Sequence, residues 1–309
     1  MNNIAVVFPG QGAQSKGMGK DLYDKFEIVR DLFEKSKKNS IYPNKDYAGL
    51  CFDASEEELQ LTINTQPAIY LVSVAIYELL KQKGVKPTIA AGHSLGEYGA
   101  LYAANVISFE DGLRLLEKRA VFMDECARQT NGAMYAVMGL TEERIKELCN
   151  AIDGIVGIAG LNSPGQVVIS GELAAVNKFI ETAKSAGAGK CIELKVSGAW
   201  HSKLMKKAQD NLANELSKIN FNHPIFPIIS NYTATAETDP EKIKSALIKQ
   251  LCEPVRWIES VELMINNFLI STIIESGPGK VLTGLIKRIN KDITLINVNN
   301  LETLENFNI

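Results

Sequence analysis

A chain of 309 residues with 46% hydrophobic content can form one large domain or two of moderate size around a substantial core. Its formal charge of −3 argues against a generally basic, nucleic-acid-binding surface and leaves only local basic patches for anionic partners. No apolar run reaches the roughly 18 residues of a membrane-spanning helix, and the five cysteines are scattered without a C-x-x-C pair. Reduced thiols in a cytoplasmic protein, with no metal site, are the expectation.

The first element is an apolar strand, Ile4 to Phe8, and the preceding residues lack the basic segment and long apolar stretch of a signal peptide. The strand runs into Pro9-Gly10-Gln11-Gly12-Ala13-Gln14. This loop has no Gly-Lys-Ser/Thr, and Ser15 occupies the third glycine position of a dinucleotide fingerprint, so neither phosphate-binding pattern fits. It remains a flexible loop whose N–H groups can point at a ligand. Residues 17–60 read as mostly helical and polar. Thr65 and Pro67 predict a helix start, with an apolar stripe through Ala68, Leu71, Val72, Ala75, Ile76 and Leu79 and an end at Gly84.

Thr88 to Ala91 then reads as a short buried strand, followed by Gly92-His93-Ser94-Leu95-Gly96 and the opening of a helix near Tyr98. Gly-x-Ser-x-Gly between a strand and a helix is the setting of a nucleophile elbow; the alternative is a glycine-rich turn with a serine cap. Glu110 to Arg128 is a further helix. On a helical wheel Gly112, Leu115, Leu116, Phe122, Met123 and Cys126 share one face with Arg119 at its middle, while Arg114, Glu117, Lys118 and Glu125 fall opposite. A guanidinium cannot lose its proton, so Arg119 needs an anion there. The wheel leaves open whether the protein or a ligand supplies it.

From Gly132 to Val196 the order strand, helix, strand, strand, helix, strand predicts a ferredoxin-like unit: a strand over 133–138, a helix capped by Thr141, a hairpin around Asn162-Ser163-Pro164-Gly165, a helix over 172–186 and a strand over 191–196. The expected architecture is α/β, with a hydrolase-like, mostly parallel large domain from residues 1–130 and 198–309 and a small βαββαβ domain inserted at 131–197. In the returning half the expected elements are helices over 203–219, 243–251 and 255–266, strands over 224–230 and 269–275, and a last helix from Lys280.

A serine nucleophile needs a base. Of the three histidines, His93 adjoins Ser94 and reads as packing beneath the elbow, while His223 precedes a proline at a strand entrance and reads as a loop residue. His201, in a glycine-containing loop before a helix, is the base by elimination, with lysine or aspartate dyads as alternatives. No acid stands out as a third member, so a backbone carbonyl or an amide is left to orient His201. The Leu95 N–H is one oxyanion donor by geometry, and the Gln11 loop is the candidate for the other.

The segments Gly10-Gln11-Gly12-Ala13-Gln14, Gly92-His93-Ser94-Leu95-Gly96-Glu97-Tyr98, Asn162-Ser163-Pro164-Gly165-Gln166 and Glu275-Ser276-Gly277-Pro278-Gly279-Lys280 resemble, in order, those of the malonyl-CoA:acyl-carrier-protein transacylase family of fatty-acid synthesis, as does the combination of Arg119 with His201. The resemblance covers essentially the whole chain. It implies a malonyl ester on Ser94 formed with His201 as base, an oxyanion held by the N–H groups of Gln11 and Leu95, and Arg119 paired with the malonyl carboxylate. It also implies that the backbone carbonyl of Gln250 orients His201, and that Met123, Asn162 and Trp200 border the substrate. Malonyl-CoA and acyl carrier protein are the implied partners, with no cofactor, nucleic acid or membrane, and a monomer is expected. Ala120 and Trp200 depart from the glycine and phenylalanine usual in the family, and Trp200 either bears on which extender unit fits or is a core aromatic. Lys203, Lys206 and Lys207, or Lys280, Lys287 and Arg288, are candidate docking patches for an acidic carrier protein, against solvated helix faces. A serine esterase and a non-catalytic carrier- or CoA-binding module are the competing readings; Arg119 speaks against the first and the Ser94–His201 pair against the second.

Overall fold

The computed structural model describes residues 3–308. Among these residues ten strands form two sheets: β1 Ile4–Phe8, β2 Ile89–Gly92, β3 Gly132–Met138, β4 Val156–Ser163, β5 Gln166–Glu172, β6 Lys190–Glu193, β7 Ile228–Ile229, β8 Ala236–Glu237, β9 Thr272–Ser276 and β10 Thr294–Val298. The larger sheet has the order β10-β9-β1-β2-β7-β8. Its strands pair in parallel except β8, which runs antiparallel to β7. β1 and β2 are buried on both faces, which is why they read as unbroken apolar runs. Alternate residues of β1 serve two layers: Ile4, Val6 and Phe8 face one helical layer, and Ala5 and Val7 pack with Trp257, Val261, Met264 and Ile286 on the other. Because β1, β2 and β9 are parallel, the loops after them emerge at one edge, where sites of such sheets are built.

The smaller sheet is antiparallel with the order β4-β5-β3-β6, the expected ferredoxin-like arrangement. Helices Glu142–Asn150 and Leu173–Ser185 cover it, and Val137, Ile145, Ile169, Val176 and Phe179 form its own core. The outer edge of β4 is not left open. Val255 donates to the Ala159 carbonyl and accepts from the Leu161 N–H, tying the small sheet to the larger unit.

Several expectations change. The first long helix runs Thr62–Gln82, so Thr65 and Pro67 lie inside it rather than at its start. The extra turn forms because its polar side chains find partners: the Thr65 hydroxyl bonds the Leu59 carbonyl at 2.5 Å, and Asn64 donates to the Glu58 carbonyl at 2.9 Å. The helix is buried almost all round, not along one stripe, because helices Glu27–Asn39 and Phe109–Gln129 cover it. Its end at Gly84 (φ 89°) is as expected. Glu117, assigned to the polar face of Phe109–Gln129, is fully buried; it accepts from the Ser40 and Tyr47 hydroxyls and the Ile41 N–H.

The strand expected over 224–230 shrinks to two residues. Pro224 and Pro227 have no N–H to offer, and the Asn222 and Ile225 N–H groups go to Val106 and Ala104 instead. The helix expected from Val255 begins at Trp257, since Val255 pairs with β4. The helix after Lys280, Val281–Ile289, is not the last element: β10 and helix Leu301–Glu305 follow. The five cysteines are unpaired thiols. Among the described residues no helix is long and apolar enough to cross a membrane.

The packing at the functional edge depends on glycines. A Cβ on Gly96 would overlap the Phe8 carbonyl, whereas one on Gly284, in helix Val281–Ile289, meets nothing. Gly96→Ala is expected to cost about 3 kcal/mol or more through backbone displacement. Gly284→Ala is expected to be neutral or to stabilise by about 0.5–1 kcal/mol. Thermal unfolding followed by circular dichroism tests the pair; equal melting temperatures would contradict the account.

Candidate active site

β2 ends in a turn that only a glycine-flanked sequence can make. Ser94 sits in the left-handed region at φ 54°, and a Cβ on Gly92 would overlap the backbone of Gly96. Helix Gly96–Ala103 starts directly after it. One side chain from the far half of the sequence fixes this turn. Asn231 Oδ1 accepts from the Ser94 N–H at 2.6 Å, and Asn231 Nδ2 donates to the Gly92 carbonyl at 2.6 Å. Gly10 brings the loop after β1 against the elbow, because a Cβ there would stand 2.6 Å from the His93 carbonyl oxygen. Among the described residues neither the Gln11 nor the Leu95 N–H has an intramolecular acceptor, so both are free to serve an oxyanion.

His201 is also left-handed, at φ 54°, and is buried. Its Nε2 lies 2.8 Å from Ser94 Oγ. Its Nδ1 lies 2.8 Å from the Gln250 carbonyl and 3.2 Å from that of Glu253. Two carbonyls can only accept, so the ring proton sits on Nδ1, and Nε2 is the lone-pair nitrogen facing the hydroxyl. Burial pushes the imidazole down to about 3, Arg119 adds to the fall, and the carbonyl bonds oppose it. The ring is therefore neutral near pH 7. His93 is no competitor: its Nε2 is bonded with Asn162 Oδ1 at 2.9 Å, and its ring packs 5.7 Å from Trp257. His223 is exposed in a loop.

Arg119, 1% exposed, projects from helix Phe109–Gln129 into this group. Nη1 donates to Gln66 Oε1 at 2.5 Å, and Nη2 donates to Ser94 Oγ and to Gln250 Oε1, both at 3.0 Å. Nε has no partner. Among the described residues no carboxylate lies within ion-pair distance of the guanidinium, which removes the internal ion pair as the answer to the wheel. The acid of the network is Glu97, one amide away: Gln250 Nε2 donates to Glu97 Oε2 at 2.7 Å and to the Ser94 carbonyl at 3.0 Å. Burial pushes Glu97 up to about 7, against hydrogen bonds from Gln250 and the Asn231 N–H and the charge of Arg119.

A cleft of about 490 Å³ opens over Ser94 between the two sheets. Gln11, Ser94, Asn162, Trp200 and His201 line it; Leu95, Arg119 and Gln250 lie behind it. Met123 does not reach it. Its sulfur accepts from Gln66 Nε2 at 3.4 Å, so its place is behind the guanidinium rather than beside a substrate. Trp200 is 5% exposed, with an indole N–H lacking a partner among the described residues. Gln66, Glu97 and Asn231 complete this network without being among the residues expected from the sequence. Glu97 was in view inside the elbow motif. Gln66 had one indirect signal, as a polar residue in what proves a buried helix. Asn231 had none, since its bonds to Gly92 and Ser94 span nearly half the chain.

The neutral state of His201 has a measurable consequence. An unfolded imidazole titrates near its ordinary 6.5 and the folded one at about 3. Across that window the folded chain binds fewer protons, so this group takes stability away as pH falls from 6.5 toward 3. The His201 ring resonances of the free protein are expected to stay flat from about pH 8 to about pH 5. A titration midpoint above about pH 6 would contradict the burial argument.

A family model described as "Acyl transferase domain" matches residues 5–301. The malonyl CoA-acyl carrier protein transacylase of Bacillus subtilis (strain 168) is 41% identical over 308 residues, covering 99% of this chain and 96% of the relative. An acyl carrier protein S-malonyltransferase from Vibrio cholerae is similar in structure with a TM-score of 0.94 and 43% identity, covering 98% of this chain and 99% of that one. A malonyl-transacylase in complex with its type II PKS acyl carrier protein gives 0.93 and 42%, covering 98% of each chain. The chain belongs to the acyl transferase domain family, among the malonyl CoA-acyl carrier protein transacylases.

Proposed function

We propose that this chain moves a malonyl group from malonyl-CoA to the phosphopantetheine thiol of an acyl carrier protein, through a malonyl ester on Ser94, as the extender supply of fatty-acid synthesis. The observation that carries the reading is the buried Arg119 guanidinium, bonded to Ser94 Oγ at 3.0 Å and paired with no carboxylate among the described residues. A planar fork with a free charge suits a carboxylate on the acyl group.

Ser94 Oγ attacks the thioester carbon while its proton passes to His201 Nε2, with Nδ1 held by the Gln250 and Glu253 carbonyls. The oxyanion of the tetrahedral intermediate takes the N–H groups of Gln11 and Leu95, each worth about 3–4 kcal/mol of barrier in such sites. Collapse breaks the carbon–sulfur bond, and the departing CoA sulfur receives the proton from His201. In the second half the carrier thiol gives its proton to His201 and attacks the ester, and Ser94 leaves with that proton. Substrate binding also strengthens the base. Burial is the main cause of the depressed imidazole and Arg119 the second; a malonyl carboxylate on Arg119 offsets that second part and so moves His201 upward when a proton must be taken.

The catalytic groups then belong to residues 1–130 and 198–309, and residues 131–197 act as a second domain. That domain supplies Met134, Asn162, Val168 and Leu194 to the opposite wall of the cleft. Trp200 narrows the pocket against an α-branched acyl group, which favours malonyl over bulkier extender units. Lys203, Lys206 and Lys207, and separately Lys280, Lys287 and Arg288, are exposed and remain the candidate faces for an acidic carrier protein. The reading extends to a cytoplasmic monomer without a cofactor, the chemistry needing only the two thiol carriers.

Intact-mass measurement after brief incubation with malonyl-CoA tests the central step. The wild type is expected to gain one malonyl group and Ser94→Ala none. Steady CoA release without an adduct would instead favour a hydrolase, with water taking the acyl group. Neither adduct nor release would leave a binding module.

A further inference from the structure

Two side-chain amides hold the Arg119 guanidinium from two sides. Gln66 Oε1 accepts from Nη1 at 2.5 Å, and Gln250 Oε1 accepts from Nη2 at 3.0 Å. Both glutamines are buried. The other end of each amide is also committed. Gln66 Nε2 donates to the Thr62 hydroxyl at 2.9 Å and to Met123 Sδ at 3.4 Å. Gln250 Nε2 donates to Glu97 Oε2 at 2.7 Å and to the Ser94 carbonyl at 3.0 Å. Neither amide can turn over, since a guanidinium has only donors and an inverted amide would set NH₂ against it.

An amide oxygen fixes the direction of a guanidinium without cancelling its charge. A carboxylate at either position would fix it equally well and would pair with it, competing with any anionic group of a ligand. The fold keeps its one acid of this network, Glu97, at a distance of one amide from Arg119. The Thr62 hydroxyl continues the chain of bonds to Gln11 Oε1 at 3.2 Å, so the same scaffold reaches the loop after β1.

We propose that the side chains of Gln66 and Gln250 are specificity-determining positioning residues: as neutral acceptors they aim Arg119 beside Ser94 while leaving its charge free, and so set the preference for a carboxylated acyl donor over an uncharged one. For Gln250 this role belongs to the side chain and is separate from that of its backbone carbonyl toward His201. The inference rests on the reading of Ser94 as the acylated nucleophile and Arg119 as the carboxylate receptor.

The test compares kcat/KM for acylation of the full chain by malonyl-CoA and by acetyl-CoA in wild type, Gln66→Glu and Gln66→Met. In Gln66→Glu the malonyl-to-acetyl ratio is expected to fall about 10–100-fold, the size of a lost charge-assisted contact, mostly in the KM for malonyl-CoA. In Gln66→Met, which removes the acceptor and adds no charge, the ratio is expected to fall only a few-fold. A general structural defect would lower both substrates together. An unchanged ratio in Gln66→Glu, or a fall in Gln66→Met as large as in Gln66→Glu, overturns the proposal. If Gln66→Glu does not fold, Gln66→Met decides alone: a few-fold fall supports the proposal and an unchanged ratio overturns it. A wild type that takes up no malonyl group would overturn the functional reading itself; a wild type that loads normally beside variants of unaltered ratio overturns this inference only.

Discussion

The rest of the site depends on one buried cation, Arg119, which has no carboxylate in contact among the described residues and only the more distant Glu97 charge to oppose it. Removing a guanidinium from water costs several kcal/mol even after relaxation, and Arg119 incurs that cost without a carboxylate beside it. What reduces the cost is a set of oriented neutral acceptors: Gln66, Gln250 and the Ser94 hydroxyl. The result is a positive charge held behind the cleft, bonded to the Ser94 hydroxyl. Burial is the main cause of the depressed His201 imidazole, and the Arg119 charge adds to it; the same charge opposes the rise that burial imposes on Glu97. Each would be altered by a protein carboxylate in direct contact with Arg119.

The fold supplies the rigidity this arrangement requires. Ser94 and His201 both sit in the left-handed region, a conformation that costs non-glycine residues of order 1–3 kcal/mol. Both are held by long-range bonds, Ser94 by Asn231 and His201 by the carbonyls of Gln250 and Glu253. The Glu275–Lys280 turn acts from behind. Glu275 accepts from the Leu282 and Thr283 N–H groups, and Gly277 and Gly279 pack against Pro9 and Ala13, so the turn supports the Gln11 loop. This is the physical content of a motif that shows only as a turn in the sequence.

Local chemistry was legible wherever local physics decides the outcome. The buried parallel strands around 4–8 and 89–92, the glycine-flanked elbow, the Thr141 cap and the βαββαβ order each follow from neighbouring residues. The burial of Arg119 was legible because a helix repeats every few residues and a cation on its apolar face is conspicuous. Distance in sequence hid the rest. Asn231 reaches the elbow across nearly half the chain, and Glu117 looks solvent-facing until Ser40, Ile41 and Tyr47 fold over it. Met123 shares Arg119's face, yet it ends behind Gln66 because sharing a helix face does not fix depth. Thr65 and Pro67 misled because capping chemistry works equally well one turn inside a helix whose polar side chains are satisfied.

The most direct measurement of the central claim is the acyl group found on Ser94 in Arg119→Ala when malonyl-CoA and acetyl-CoA are offered together. The account predicts that the variant loses malonyl loading and gains acetyl loading on the same serine, because the anion receptor is gone while nucleophile, base and oxyanion donors remain. Retained malonyl preference in a folded Arg119→Ala protein would contradict it, and the buried guanidinium would then have only a structural part.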